Sequence, residues 1–337
     1  MTKLLLRRLL SALPSLVGVI IVTFILTRLL PGDPAAYFAG PTATPDSIAQ
    51  VRHQLGLDRS AFEQFVTYVE QLAHGDLGNS LTSGQPVLSD LVARLPASLE
   101  LTLCALVMAT LSGVGLGVGA ALQPGGVVDW ICGMVSALGQ AMPTFFLGLL
   151  LVFVFYFLAG WAPAPLGRLD ISYSTPSDIT GFWLVDTLLE GDLEAFGGVV
   201  RQLILPVVTL GLFGIGPIAR MARASMIEVL NSEFVRTARA AGLPRWKVLW
   251  VYAFRPILMP VLNTVGMVFS FMLGANVLVE KVFGWPGIGA YAVDSVLASD
   301  FAPIQGFVLL MAALYVVINL LIDVLGVLLD PRVKFDG

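Results

Sequence analysis

An all-α membrane protein with six transmembrane helices is the fold class this sequence predicts, and three observations predict it. Of 337 residues, 57% are hydrophobic and only 12% charged, with a mean hydropathy of +0.86; a soluble domain carries about twice that charge fraction. The apolar residues fall in runs long enough to cross a hydrocarbon core of ~30 Å, which takes ~20 helical residues. The basic residues concentrate in alternate connecting segments, as positive-inside sorting requires.

The expected spans are 9–30, 98–122, 127–159, 199–222, 257–282 and 304–329. The N-terminus, "MTKLLLRRLL", has the basic head of a signal peptide. Its apolar run from Leu9 to Leu30 is 22 residues, too long for a cleaved core, and no A-x-A site follows closely. It reads as an uncleaved first span closing a segment 1–30. Residues 31–97 read as an extracytoplasmic helical element. In it, "TPDSIAQVRHQLGLD" is a capped amphipathic helix with Pro45 and Asp46 at its start and Gly56 at its end. "SAFEQFVTYVEQLAHG" is a second, with Phe62, Phe65, Val66, Val69 and Leu72 on one face. In the core, 98–329, the glycines of "SGVGLGVGA", 112–120, alternate at every second position, which suits close helix packing. The run 127–159 is too long for one straight crossing, so Pro143 kinks it or separates an interfacial helix from the span proper. The acidic loop 160–198 shows no helical repeat before "DTLLEGDLEAFGG". Residues 330–337 are a short tail.

Sidedness follows from the cations. With the N-terminus inside, the inner segments hold Lys3, Arg7, Arg8, Arg220, Arg223, Arg236, Arg239, Arg245, Lys247, Arg255, Arg332 and Lys334, twelve of the nineteen Lys and Arg. The segment 31–97 carries seven acids against three arginines. Both termini are therefore expected in the cytoplasm.

One inner segment, 223–256, is a basic island. From Ser225 to Ala241 the apolar positions Met226, Leu230, Phe234, Ala238 and Ala241 form a helical stripe, with Glu228, Asn231, Ser232, Arg236 and Arg239 on other faces. Gly242 stands where a helix ends in a left-handed residue, and Pro244 suits the first turn of the next. "PRWKVLWVYAF" then returns to the membrane with interfacial aromatics. A topology-setting anchor explains the arginines of this hairpin but not the small residues at 238, 240, 241 and 242. Those permit close approach to a protein groove, with arginines pairing acids on its rim.

"EFVRTARAAGL" resembles the cytoplasmic coupling loop, the EAA loop, of ABC importer permeases, and in particular the pattern E-[YF]-[VI]-x-T-A-R-A-x-G of their peptide-transporting branch. Glu233, Thr237, Ala238, Arg239, Ala240 and Gly242 match it, and Arg236 stands where the general pattern has Glu. Pro256 stands where the branch usually has Asn. The resemblance extends along the chain through "LLPGDPAAYFAG", "HGDLGNSL", "RLPASLELTL", "TGFWLVDT", "FGWPGIG", "SDFAPIQG" and "NLLIDVLGVLLDPRVK". The sequence is thus similar to dipeptide/oligopeptide permeases. That resemblance implies the type I ABC importer transmembrane fold. It implies one permease subunit moving short peptides inward by ATP-driven alternating access, in a bacterial inner membrane. The implied partners are a second homologous permease, two ATP-binding subunits, an extracytoplasmic substrate-binding protein and membrane lipid, with no nucleic acid. Glu233, Arg236, Thr237, Ala238, Arg239, Ala241 and Gly242 are the implied contacts to the ATPase. Nickel or other metal chelates, opines and glutathione are alternative cargoes of the same branch.

The residues exclude several chemistries independently. None of the four lysines follows a glycine, so the chain has no G-x-x-x-x-G-K-[ST] loop. ATP and Mg are therefore expected on partner subunits, with no cofactor on this chain. Cys104 and Cys132 lie in apolar runs and His53 and His74 stand alone, so no metal site and no catalytic group is expected. A stand-alone secondary transporter requires charge relays or paired broken helices, and a membrane-embedded enzyme requires clustered acids, His or Cys at span ends. Asn263, Ser270 and Asn276, at spacings of seven and six, are candidate pathway residues or contacts to a second permease. Asp323, read as the one acid deep in a span, is a candidate pathway residue or a structural partner of a neighbouring helix or Arg332.

Overall fold

A computed structural model of the chain describes residues 14–25, 34–40, 42–54 and 56–329. In chain order the helices are α1 (Pro14–Ile25), α2 (Pro34–Ala39), α3 (Pro45–Gln54), α4 (Ala61–Ala73), α5 (Val87–Leu122), α6 (Val127–Ala141) and α7 (Thr144–Leu158). They continue with α8 (Trp183–Glu190), α9 (Leu193–Leu230), α10 (Glu233–Ala240), α11 (Arg245–Val282), α12 (Ile288–Leu297) and α13 (Phe301–Leu329). The stretches Val152–Leu158 within α7 and Val248–Ala253 within α11 are π-helical. In α11 the widened turn lies just before Pro256, whose ring would otherwise meet the carbonyl four residues earlier.

The expectation of six spans does not hold. Among the described residues four helices are long and apolar enough to cross a membrane: Val87–Leu122, Leu193–Leu230, Arg245–Val282 and Phe301–Gly326. A fifth is obtained only if the bent pair α6 and α7 counts as one span. Of the first expected span, 9–30, only Pro14–Ile25 lies within the described residues, as helix; the remainder of that expected span lies outside them. The expected span 127–159 is broken rather than curved, with a 105° bend between α6 and α7. Met142 at the corner is extended (φ −107°, ψ 136°), as a residue preceding proline prefers. The N-terminal Lys3, Arg7 and Arg8, and Arg332 and Lys334 at the other end, lie outside the described residues.

The chain divides into two units, Met1–Pro96 with Pro286–Val316 and Ala97–Trp285 with Val317–Gly337. In the smaller, Ser60 and Glu63 form a reciprocal capping box at the start of α4. Phe24 of α1 packs on Phe65 and Tyr68 of α4, with ring centroids 5.1 and 5.8 Å apart. The buried side of α4 therefore differs from the expected stripe: Tyr68 is buried, whereas Phe62, Val66 and Val69 are exposed. Val87, Leu91, Ile288 and Tyr291 form a second cluster, backed by Phe307, Leu310 and Leu314. The Asp300 carboxylate, fully buried, accepts from the Ser80 hydroxyl (2.7 Å) and the Thr82 amide (3.1 Å).

In the larger unit α9 is the central element, flanked by α6 and α11. Small residues allow the helices to touch. A Cβ on Gly117 would lie 2.4 Å from the Ala219 carbonyl oxygen, and one on Gly113 2.9 Å from Ile218. Gly115, between them, faces open space. Of the alternating glycines, then, the pair four residues apart faces α9, because i and i+4 share a helix face.

Candidate functional site

The basic island folds as a hairpin between the two long helices α9 and α11, with α10 at its tip. The backbone turns at Asn231, which caps α9, and at Ser232, which is extended (φ −72°, ψ 152°) ahead of α10. The Ser232 hydroxyl donates back to the Val229 carbonyl at 2.5 Å. This break changes the register expected from the sequence. Met226 and Ala238 are buried, but Phe234 is 47% exposed and Ala241 also faces outward. The residue that takes the inward position is Val235, packed with Ala238 against Val248, Leu230 and Leu243.

The far end of α10 closes as the sequence anticipates. Gly242 is left-handed (φ +74°); its amide donates to the Arg239 carbonyl at 3.0 Å, and the Leu243 amide to the Ala238 carbonyl at 3.3 Å. That double bond pattern, with Leu243 in the same cluster as Ala238, is a Schellman cap. It fixes the angle at which the chain re-enters α11.

On the outer surface the Arg236 guanidinium donates to the Glu233 carboxylate at 2.7 Å, both side chains being largely exposed. The Thr237 hydroxyl is occupied by the Glu233 carbonyl at 2.9 Å. Among the described residues Arg239 makes no ion pair, and it lines a cavity of about 820 Å³ together with Arg245, Trp246 and Trp250. Of the implied contact set, Glu233, Arg236, Thr237, Arg239, Ala241 and Gly242 are exposed, whereas Ala238 is 6% exposed and supports the hairpin from inside.

The candidate pathway residues are not brought together. Asn263 is exposed, the Ser270 hydroxyl donates to the Gly266 carbonyl of its own helix (3.2 Å), and Asn276 is buried with its amide donating to Glu280 (2.8 Å). A six-residue step turns a helix by about 600°, which moves Asn276 off the face that Asn263 and Ser270 share. Asp323 is half-buried on α13.

Sequence reasoning missed the charged interior, since Asp323 is not the acid most withdrawn from solvent. Glu280 is 1% exposed and accepts from Ser98 and Asn276. Glu100 and Arg168 form a buried ion pair at 2.6 Å, with Leu184 N donating to Glu100 at 2.8 Å. Arg168 also donates to the Gly181 carbonyl at 2.8 Å and lies over the Trp183 ring, 4.3 Å from its centroid. The available signal was that Glu100 and Glu280 each sit inside the boundaries drawn for an apolar span, where an uncompensated carboxylate is costly.

Two family models cover the chain. Residues 113–335 match "Binding-protein-dependent transport system inner membrane component", and residues 1–102 match the N-terminal part of the same membrane component. The chain belongs to the family of binding-protein-dependent transport system inner membrane components. It is accordingly a multi-pass membrane subunit of a transport system. This inner membrane component is 41% identical over 320 residues to the probable D,D-dipeptide transport system permease protein DdpB of Escherichia coli (strain K12), covering 95% of this chain and 94% of that one. It is 41% identical over 329 residues to the di/tripeptide transport system permease protein DppB of Pseudomonas aeruginosa (strain UCBPP-PA14), covering 97% of each. Among solved structures, one titled for inward-facing conformations of the MetNI methionine ABC transporter superposes with a TM-score of 0.53 at 14% identity, over 72% of this chain and 97% of that one. The inner membrane component thus shares the ABC-importer transmembrane fold.

Proposed function

We propose that this chain is the permease subunit through which an ABC importer moves dipeptides and other short peptides into the cytoplasm. The observation that carries the peptide assignment is near-full-length similarity, at 41% identity, to permeases named for D,D-dipeptides and for di- and tripeptides. The working assembly is this chain with a second homologous permease, two ATP-binding subunits and an extracytoplasmic substrate-binding protein.

In this reading the α10 hairpin is the coupling element, on the cytoplasmic side, and 31–97 lies outside. ATP-driven closure of the ATPase pair moves α10, and α9 and α11 carry that movement into the membrane. The hairpin suits the task physically. Its Val235–Ala238–Val248 core and the Schellman cap resist bending, and α11 runs on for 38 residues from Arg245. Glu233, Arg236, Thr237, Arg239, Ala241 and Gly242 form the outward contact set, with Ala238 holding their helix in place.

The test is ATP-driven uptake of a labelled dipeptide into liposomes holding this chain with its permease, ATPase and binding-protein partners. Uptake that disappears without the binding protein is the expected result. ATP hydrolysis stimulated by the binding protein with no dipeptide uptake overturns the cargo, and uptake independent of the ATPase overturns the class.

A further inference from the structure

The break between α6 and α7 lies beside the middle of α9. α6 runs antiparallel to α9, held at one end where Arg223 donates to both oxygens of Asp129 at 2.6 and 2.9 Å. Further along, a Cβ on Gly216 would meet the Ser136 backbone at 3.1 Å, and one on Gly139 would meet the Leu212 carbonyl oxygen at 2.4 Å. Leu212 stands eleven residues after Arg201 and eight before Arg220, the two charges that bound the uncharged stretch of α9. At ~1.5 Å per residue the corner is thus ~12 Å from the nearer charge. The centre of a ~30 Å hydrocarbon core is ~15 Å from its edge, so the break falls near mid-membrane.

At that depth the backbone is incompletely paired. Pro143 has no amide to return to the Gly139 carbonyl. Among the described residues the amides of Met142, Thr144, Phe145 and Phe146 donate to no acceptor, and the Gln140 and Ala141 carbonyls accept from no donor. Helical bonding resumes only with the Leu147 amide, which donates to the Pro143 carbonyl at 3.1 Å. α9 closes the corner on the side of Gly139, whereas Gln140, Ala141 and Pro143 are exposed. Hydrocarbon offers such groups nothing to bond. Irregular backbone at membrane depth persists only where protein buries it or where it lines a water-filled cavity.

We propose that the α6–α7 corner forms part of the wall of the water-filled conduit through which the cargo crosses, with Gln140 and Ala141 on that wall and water hydrating the free backbone groups. The proposal rests on the permease reading given above and names wall residues for it. A second permease is the other surface that could cover the corner. To do so it would have to supply acceptors for a row of amides and donors for two carbonyls within one bend. Water takes both roles in any orientation. Interrupted helices in other transporters likewise face water-accessible places near the midplane.

The experiment uses the whole importer, with Cys104→Ala and Cys132→Ala as background and Ala141→Cys or Gln140→Cys as reporter. The second reporter decides the matter where the first disturbs assembly. A charged methanethiosulfonate is applied to the complex in lipid nanodiscs, without nucleotide and with ATP and vanadate, and its adduct is followed on this chain. The reagent reacts with the thiolate, which apolar surroundings suppress. In at least one of the two states the reporter should react within about tenfold of its rate in dodecyl sulfate. Complexes modified in this way and placed in liposomes should lose dipeptide uptake, and reduction of the mixed disulfide should restore it. Reporters that react only in dodecyl sulfate overturn the proposal, the corner then being covered by lipid or by the second permease. Reaction that leaves uptake unchanged also overturns it. A background importer that takes up no dipeptide overturns the peptide reading, while the labelling still decides whether water reaches the corner.

Discussion

Glu100 on α5 and Arg168, in the loop preceding α8, meet at 2.6 Å with both side chains almost fully withdrawn from solvent. Each has further partners, Leu184 N and the Gly181 carbonyl, so the pair is embedded in a network rather than isolated. Removing one member leaves a buried charge with no counterpart. Arg168→Met is therefore expected to lower stability by about 3–5 kcal/mol. Combining it with Glu100→Met should recover much of the loss. Thermal unfolding of the single and double variants in detergent checks this, and strictly additive losses would refute the coupling.

The hairpin makes two separable predictions. Gly242→Val places a β-branched residue at φ +74°, a conformation that costs an L-residue roughly 1–2 kcal/mol. The cap should distort, and binding-protein-stimulated ATP hydrolysis should no longer drive uptake, while the chain still inserts in the membrane. Uptake at the wild-type rate would count against the coupling role.

Ala238 and Ala241 are alike in the sequence and opposite in the structure. Ala238→Leu has to displace Val235 or Val248 and should destabilise the hairpin by about 1–3 kcal/mol. Ala241→Leu meets no such resistance and should leave stability near wild type, acting only on assembly with the ATPase. Protease susceptibility of the isolated chain against co-purification of the ATPase separates the two effects.

Helix contact in the larger unit predicts a contrast between neighbouring glycines. Gly117→Ala brings a Cβ to 2.4 Å from a backbone oxygen of α9, whereas Gly115→Ala meets nothing within 4 Å. The first should reduce the yield of monodisperse protein and the second should not. Size-exclusion profiles of the two variants decide it.

Burial pushes the Tyr291 phenol up to about 12, with the Asp90 carboxylate beside it acting in the same direction. A phenol near 10 in the unfolded chain and higher in the folded one contributes stability that is fully present below the unfolded value. That contribution is lost as pH rises from about 10 towards about 12. Wild type should lose stability across that window more steeply than Tyr291→Phe, as measured by chemical unfolding at stepped pH. Parallel profiles would show that another group is responsible.

Much of the candidate site was legible because its signals are local. The positive φ at Gly242 follows from glycine at a helix end. Helical class and apolar runs likewise depend on neighbours within a few turns. Helix extent was less legible, because hydropathy marks the apolar middle and not the polar ends. α9 begins at Leu193, where the Asp192 side chain accepts from Ala195 N at 2.9 Å, six residues before the apolar run suggests. The 105° corner between α6 and α7 was announced by Pro143, but its size was not.

From its residues alone the chain specified an all-helical membrane class, the position of the hairpin and the end of α10. These depend on charge, period and glycine, which act over short distances. Folding settled how many helices are long enough to cross and which face of the hairpin looks inward. It also settled which charges are neutralised, since Glu100 and Arg168 stand 68 residues apart and Asp129 and Arg223 stand 94 apart. Whether such groups meet depends on the packing of every helix between them, and one break at Asn231–Ser232 is enough to turn Phe234 outward and Val235 inward.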